Sequence, residues 1–115
     1  MFDFEKLIVY QKAKSFNSVT RKYLKETHLD HSTADQLRRA SLSIVLNIAE
    51  GSGRFSKPDR KNFFVISRSS VFEVIAIYDV LNDEGLISEK EFQDFFILAE
   101  ELSRILLTLI KNLKQ

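Results

Sequence analysis

The sequence predicts an all-α protein, an antiparallel up-down-up-down bundle of four helices. Along four long segments, apolar residues recur at intervals of three and four, which is the spacing of one helix face. The chain holds three Gly and one Pro, too few for the many turns of a sheet-rich fold. The connections between the segments are short, and short connections make consecutive helices antiparallel neighbours. With 115 residues, 44% of them hydrophobic, we expect one domain over residues 1–115.

The first predicted helix runs from Phe4 to Thr27, with Asp3 as its N-cap. Its apolar stripe follows a spacing of four, three, four and three, which indicates one buried face. The residues of this stripe are Val9, Ala13, Phe16, Thr20 and Tyr23. The polar stretch from His28 to His31 predicts a turn.

The second predicted helix runs from Ser32 to Gly51. Its first four residues resemble a capping box with Asp35 in place of Glu, and Gly51 suits a left-handed helix cap. The helix is apolar on more than one side, which favours a central position or an oligomer interface. The expected core face is Leu37, Ala40 or Ser41, Ile44, and Asn47 or Ile48, whereas Leu42, Val45, Leu46 and Ala49 are expected to point elsewhere.

The third predicted helix places Pro58 in its first turn, with Ser56 as a cap, and reaches about Glu84. Gly85 ends it, and the capping box Ser88–Glu91 opens a fourth helix that continues to the chain end. The third helix has two apolar seams. The first consists of Phe63, Ser67, Ser70, Val74, Ile77 and Leu81, and the second consists of Phe64, Val71, Ile75 and Tyr78. The stripe of the fourth is Phe92, Phe95 or Phe96, Ala99, Leu102, Leu106, Leu109 and Leu113.

Polar residues interrupt the apolar second helix along one stripe, formed by Arg39, Ser43, Asn47 and Glu50. A carboxylate in the last turn of a buried helix opposes the helix dipole and needs a partner. We therefore expect Glu50 to pair with Arg39, Arg54 or Arg68, within the chain or across subunits. The interpretation we favour is a structural polar network made of Arg39, Ser43, Asn47, Glu50 and Arg68; the alternative is a partner-binding site.

Charge is segregated along the chain although the net charge is only +1. Residues 38–72 carry seven basic and two acidic residues, while residues 73–101 carry one basic and nine acidic residues. The candidate nucleic-acid-binding residues follow the second helix: Arg54, Phe55, Lys57, Arg60 and Lys61, with Arg68 further along. The cations would contact phosphates and Phe55 would stack on a base, without sequence preference because no groove-reading motif is present. The alternative is an ordinary solvated loop.

In an up-down bundle this loop lies at the same end as both termini. The expected basic end gathers the four loop cations with Lys111 and Lys114, against Asp3, Glu5 and Asp59. The expected acidic end holds Asp79, Asp83, Glu84, Glu89 and Glu91, offset by Lys90 and the stretch Arg21–Lys25. Polyanions should then bind the end that carries Arg54 to Lys61.

Three stretches resemble a known family. The run Arg39–Gly51 (RASLSIVLNIAEG) is similar to the signature of the four-helix bundle proteins encoded in intervening sequences of bacterial 23S rRNA genes. Residues Phe4–Ala13 resemble the family's first helix, although Tyr10 stands where Trp is usual, and Ser69–Val74 resembles its third-helix motif, with Ser69 where Gly is frequent. The resemblance implies a left-handed bundle that forms a ring, often a pentamer. It also implies a relative, the accessory variability determinant of diversity-generating retroelements, which binds nucleic acid and a reverse transcriptase through basic surfaces.

No residue pattern indicates an enzyme, a cofactor or a metal site. The chain has no Cys, and its two His residues, His28 and His31, flank Asp30 in a polar turn. Gly51-Ser52-Gly53 lacks the Lys of a phosphate loop. No run approaches the apolar length of a membrane helix, and the N-terminus does not read as a signal peptide, so we expect no membrane partner and a cytoplasmic protein.

The sequence therefore leaves two functional hypotheses. In the first, a homo-oligomer with one basic face binds RNA or DNA. In the second, the oligomer is a structural or protein-interaction module that binds a partner protein and has no nucleic-acid role.

Overall fold

The computed structural model describes residues 2–113. A 3₁₀ turn, Asp3–Lys6, precedes four helices: α1 (Ile8–Glu26), α2 (His31–Ser52), α3 (Lys57–Asp83) and α4 (Glu89–Asn112). The described chain contains no strand, and its helices pack into a bundle measuring 45 × 24 × 22 Å. The prediction of an all-α four-helix fold is confirmed. Lys114, which we expected at the basic end, lies outside the described residues.

Contacts between α2 and α3 occur in opposite sequence order, as expected for antiparallel neighbours. The Ser67 hydroxyl donates to the Ile44 carbonyl at 2.8 Å, and further along the pair the Gln36 amide donates to the Glu73 carboxylate at 3.4 Å. The handedness of the bundle stays a prediction from the family resemblance.

One buried face runs along each helix. The predicted core faces of the second and third helices each need one correction. Val45, which we expected to point away from the core, is buried at 6% exposure. The two seams predicted on the third helix merge into one buried face, because both turn towards the other helices. That face consists of Phe64, Ser67, Ser70, Val71, Val74, Tyr78 and Leu81.

An aromatic cluster fills the core near the α3–α4 connection. The rings of Tyr78 and Phe95 stack at 4.0 Å between centroids, and Tyr23 meets both rings edge-on. The Tyr78 hydroxyl donates to Thr20 Oγ1 at 2.9 Å, and the Tyr23 hydroxyl donates to the Leu86 carbonyl at 2.9 Å. Burial raises the pKa of both tyrosines, so their hydroxyls stay protonated donors.

The first helix begins later than predicted. Asp3 is the first residue of the 3₁₀ turn and does not cap the α-helix. Leu7 has extended backbone angles (φ −75°, ψ 127°) and separates that turn from α1. The turn itself is closed by Glu5, whose carboxylate accepts from the Phe2 backbone N–H at 2.9 Å. The predicted continuous helix from Phe4 is therefore wrong over its first turn.

The second helix begins one residue earlier than predicted, and the expected box from Ser32 is wrong. Asp30 is the N-cap, since its carboxylate accepts from the Thr33 N–H at 3.0 Å. Hydrogen bonds from Thr33 hold the pKa of Asp30 below its ordinary value. His31 is thus the first helical residue and does not belong to the turn.

Gly51 lies inside α2, so the predicted left-handed cap at this position is wrong. The helix continues to Ser52, and a Cβ atom on Gly51 would lie 2.9 Å from Phe64 Cε1 and 3.0 Å from Phe63 Cβ. Glycine is required here because α3 approaches closely.

The predicted caps at Ser56 and Ser88 and the helix stop at Gly85 are confirmed. The predicted capping box from Ser88 is only half formed, because the Glu91 carboxylate accepts from the Ser88 hydroxyl, at 3.2 Å, and not from its backbone N–H. Ser56 and Ser88 cap α3 and α4, each accepting a backbone N–H from the third residue that follows. Gly85 adopts φ +71° at the end of α3, where the Leu86 N–H donates to the Leu81 carbonyl at 2.9 Å.

Candidate nucleic-acid interface

The basic loop between α2 and α3 is fixed by its own hydrogen bonds. Arg60 Nε donates to the Arg54 carbonyl at 2.7 Å, which closes the loop across six residues. Ser56 Oγ accepts from the Asp59 N–H at 3.2 Å and sets the start of α3. The loop therefore presents its side chains from a defined backbone, with Arg60 acting partly as a brace.

Arg54 is engaged within the protein. Its Nη2 lies 3.1 Å from Glu50 Oε2, and its guanidinium stacks 4.7 Å from the centre of the Phe63 ring. Arg54 is one of the three partners we expected for Glu50. The expected burial is wrong, however, since the Glu50 side chain is 57% exposed. Such a surface pair contributes about 1 kcal/mol or less, whereas a buried carboxylate would depend on its partner for several kcal/mol.

The two lysines of the basic loop are available to a ligand. Lys57 and Lys61 are exposed one helical turn apart, and neither forms an ion pair with any residue in the 2–113 range. Phe55 is fully exposed, at 105%. Asp59 contributes a carboxylate to the same turn. Two exposed cations thus follow an exposed aromatic ring within six residues of the chain, an arrangement that suits a phosphate backbone with an unstacked base.

The N-terminal turn lies beside this loop, as the predicted topology implies, but the groove that the two form together was not predicted. Phe2 and Phe4 line, together with the end of α2 and the loop, a groove of about 730 Å³. The Phe4 ring packs edge-on against Tyr10 at 4.7 Å, and Phe2 stacks on Phe4 at 5.7 Å. The sequence does show two phenylalanines before the first apolar stripe, but the neighbouring residues do not indicate what these two side chains contact.

The predicted polar network is smaller than expected. Asn47 Nδ2 donates to the Ser43 carbonyl and hydroxyl at 2.9 and 3.0 Å, and the Ser43 and Ser70 hydroxyls lie 2.9 Å apart. Glu50 does not join this group, because it pairs with Arg54. The network therefore links α2 to α3 through small hydroxyls and holds no buried charge.

Arg39 and Arg68 lie outside the network, so their predicted membership is wrong. Arg39 Nε pairs with Asp35 at 3.3 Å on the surface. Arg68 Nε donates to the Ser103 carbonyl at 3.2 Å, and its guanidinium lies 4.9 Å from the centre of the Phe72 ring. Arg68 thus contacts α4 and is not part of the basic loop.

The two ends of the bundle differ in charge as the chain order predicts. The groove shared by Phe2 and Phe55 places the N-terminus beside the basic loop. The hydrogen bond from Tyr23 to Leu86 places the end of α1, with its Arg21–Lys25 stretch, beside the acidic α3–α4 connection. Lys90, the other cation of that end, pairs with Asp94 at 3.1 Å.

Apolar side chains are exposed along the outer face of α3 and α4. Phe72 is 52% exposed and lines two adjoining depressions, of about 320 and 180 Å³. Val65 and Ile110 border the larger one, and Ile75 and Phe96 the smaller. Contiguous exposed apolar surface is typical of an interaction face.

The histidine turn lies on the surface at the start of α2. Asp30 caps α2, while His28 and His31 are exposed. Within the part of the chain that the structure describes, no three His, Cys, Asp or Glu residues are grouped so as to hold a metal ion. Over the same residues, none of the helices combines the length and hydropathy needed to cross a bilayer.

Comparison with known proteins shows the family. No curated protein matches this chain in sequence. A protein of unknown function from the S23 ribosomal protein family of Bacteroides thetaiotaomicron VPI-5482 has the same fold, with a TM-score of 0.85 at 21% identity over 90% of this chain and 99% of its own. The model of the 23S rRNA-intervening sequence protein family matches residues 5–108. The chain therefore belongs to the 23S rRNA-intervening sequence protein family.

Proposed function

We propose that the protein is a non-enzymatic cytoplasmic homo-oligomer, a pentamer, that binds single-stranded RNA or DNA through its α2–α3 loop. Binding is weak, salt-sensitive and independent of sequence. The observation that supports this most strongly is the placement of Lys57 and Lys61, without ion-pair partners among residues 2–113, beside the fully exposed Phe55. Cations that track the backbone and an aromatic ring that receives bases are the two parts of a sequence-tolerant single-strand site.

Self-association is supported by the apolar face of α3 and α4 around Phe72. A ring with parallel subunit axes would gather the basic loops on one face, so several weak sites would act together. The pentameric number comes from the family resemblance. Light scattering should give five times the 13.4 kDa of one chain, and a stable monomer at micromolar concentration would contradict the proposal.

The binding site is tested by charge reversal at the two available lysines. The double variant Lys57→Glu/Lys61→Glu replaces both phosphate contacts and leaves Arg60 to brace the loop. A fluorescent oligonucleotide that binds the parent at low salt should show no detectable binding to this variant. Lys22→Glu/Lys25→Glu is the matched control, since it makes the same change of charge on exposed residues of α1 at the opposite end. The control should bind as the parent does, with helicity and assembly unchanged in both variants.

The second candidate is a protein-interaction module, favoured by the same exposed apolar face on α3 and α4. The salt dependence of binding distinguishes nucleic-acid binding from protein docking. Binding through several phosphates weakens steeply between about 50 and 200 mM salt, whereas apolar docking does not. If the parent binds no oligonucleotide even at low salt, the nucleic-acid function is wrong and the interaction module remains.

A further inference from the structure

The groove between the N-terminal turn and the α2–α3 loop is suited to a part of a nucleic acid that the lysines do not contact. We propose that this groove binds one unpaired nucleobase of the strand whose phosphates lie on Lys57 and Lys61. The inference rests on the proposed function and extends the stacking contact of Phe55 to a groove that Phe2 completes.

The groove is lined by aromatic rings and by aliphatic side chains of α2. Phe2 and Phe55, which are 71% and 105% exposed, both line it. Leu46, 52% exposed, and Ala49 line it from α2. Its volume of about 730 Å³ lies within the range of small-molecule sites. Two exposed aromatic rings beside an aliphatic surface suit a flat ring system such as a nucleobase.

The charges of the groove exclude phosphate from it. Glu50 and Asp59 place two carboxylates in the lining, and Arg54, the one cation among the lining residues that the structure describes, is paired with Glu50 at 3.1 Å. Lys57 and Lys61 do not line the groove. A phosphate would therefore be repelled inside and attracted outside, at the two lysines. The neutral base is the part of a nucleotide that suits the interior.

Contacts within the protein hold the Phe2 side chain and the backbone next to Phe55. The Phe2 backbone N–H donates to the Glu5 carboxylate at 2.9 Å, and the Phe2 ring stacks on Phe4 with an interplanar angle of 16°. On the opposite side, Arg60 holds the Arg54 carbonyl and thereby the backbone next to Phe55. The Phe2 ring is thus pre-organised and loses little conformational freedom when a base stacks on it.

This arrangement selects single strands over duplexes. The bases of a duplex are stacked and paired, and moving one into the groove would require a flipped nucleotide. A single strand offers its bases without that cost. Duplex DNA should therefore use only the phosphate contacts and bind more weakly than a single strand of the same length.

Fluorescence gives a direct test, because the chain contains no Trp. The variant Phe55→Trp introduces one indole into the groove lining, at a position whose side chain is fully exposed in the folded protein. Oligothymidylate should quench and shift its emission. An abasic strand with the same number of phosphates should bind at low salt without that change.

Affinity gives the second test. Phe2→Ala and Phe55→Ala should each weaken binding of oligothymidylate about tenfold, the loss expected for one stacking contact, and leave binding of the abasic strand unchanged. Ile8→Ala is the matched control, since Ile8 is 70% exposed in the same N-terminal region but does not line the groove. It should bind both strands as the parent does.

The outcomes separate the base site from the phosphate site. If the two Phe variants weaken both strands equally, or neither, the base site is wrong and the role of Lys57 and Lys61 stands. Emission of the Phe55→Trp variant that responds equally to both strands would overturn it as well. If the parent binds neither strand at low salt, the proposed function fails and the base site with it.

Discussion

The two ends of the bundle use aromatic residues in opposite ways. At the closed end, beside the α3–α4 connection, Tyr23, Tyr78 and Phe95 pack on one another and are at most 6% exposed. At the loop end, formed by the α2–α3 loop and the N-terminal turn, Phe2 and Phe55 are exposed. Burial of a large ring contributes to stability, whereas an exposed ring contributes little to it. The comparison indicates that stability is concentrated at the closed end and ligand contact at the loop end.

Removing the ring of Phe95 should have the largest effect on stability. Phe95→Ala opens a cavity in the aromatic cluster and should lower the free energy of unfolding by about 3–5 kcal/mol. Urea unfolding followed by circular dichroism measures this. A loss below about 1 kcal/mol would show that the closed end does not carry the stability assigned to it.

Removing the hydroxyl of Tyr78 tests how much one hydrogen bond at the closed end contributes to stability. Tyr78→Phe leaves the buried Thr20 hydroxyl without this partner and should cost about 1–3 kcal/mol at neutral pH. The double variant Tyr78→Phe/Thr20→Val removes both polar groups and should recover part of the loss. If the double variant is less stable than the single one, the hydrogen bond is not the cause.

Alkaline pH sharpens this prediction. Burial raises the pKa of Tyr78 above the ordinary value of 10.0, so above that pH the unfolded chain loses a proton that the folded chain keeps. The stability that Tyr78 contributes is therefore complete below about pH 10 and is lost as pH rises further. The difference in the free energy of unfolding between the parent and Tyr78→Phe should therefore become smaller above pH 10. A constant difference would contradict the assignment.

Gly51 tests the packing where α2 enters the loop end. Gly51→Ala should stabilise the helix by about 0.5–1 kcal/mol through its higher helix propensity. The added methyl group is forced against Phe63 and Phe64, which should cost about 1–3 kcal/mol. We expect a net loss of about 1 kcal/mol in chemical denaturation. Gly53→Ala is the matched control, because its Cβ would meet nothing closer than 3.6 Å. A loss in the control equal to that in Gly51→Ala would contradict the close-approach explanation.

Phe55 should show the smallest effect on stability. Phe55→Ala removes a ring that is fully exposed, so the free energy of unfolding should change by less than about 0.5 kcal/mol. Thermal and urea unfolding of the parent and the variant measure this together. A larger loss would mean that Phe55 packs within the protein or its assembly, and the contrast between the two ends would be wrong.

The features predicted correctly from the sequence are those with local causes. Ser56 and Ser88 were identifiable as caps from the residues that follow them, and Gly85 as a helix stop, because these roles involve neighbours within a few residues. The helical spacing likewise gave the four helices. Such signals determine where helices lie but not which surfaces they leave exposed.

The features that were missed depend on distant contacts. Gly51 reads as a cap in the sequence, and its actual role is set by Phe64 on another helix. Glu50 reads as buried because its neighbours are apolar, yet the end of α2 reaches the surface. The contribution of Phe2 to the groove depends on how the N-terminal turn folds back onto α2. Residue spacing predicted Arg54 as a partner of Glu50, but it encodes neither the exposure of Glu50 nor the positions of Phe64 and Phe2.

The salt dependence of oligonucleotide binding tests the central claim most directly. Each phosphate contact on a single strand contributes about 0.7 to the slope of log Kd against log salt concentration. The variant Lys57→Ala/Lys61→Ala should lower the slope of the parent by about 1.4 for each subunit that contacts the strand, while Lys22→Ala/Lys25→Ala should leave it unchanged. An unchanged slope in the Lys57/Lys61 variant would show that these lysines do not contact phosphates and would contradict the account.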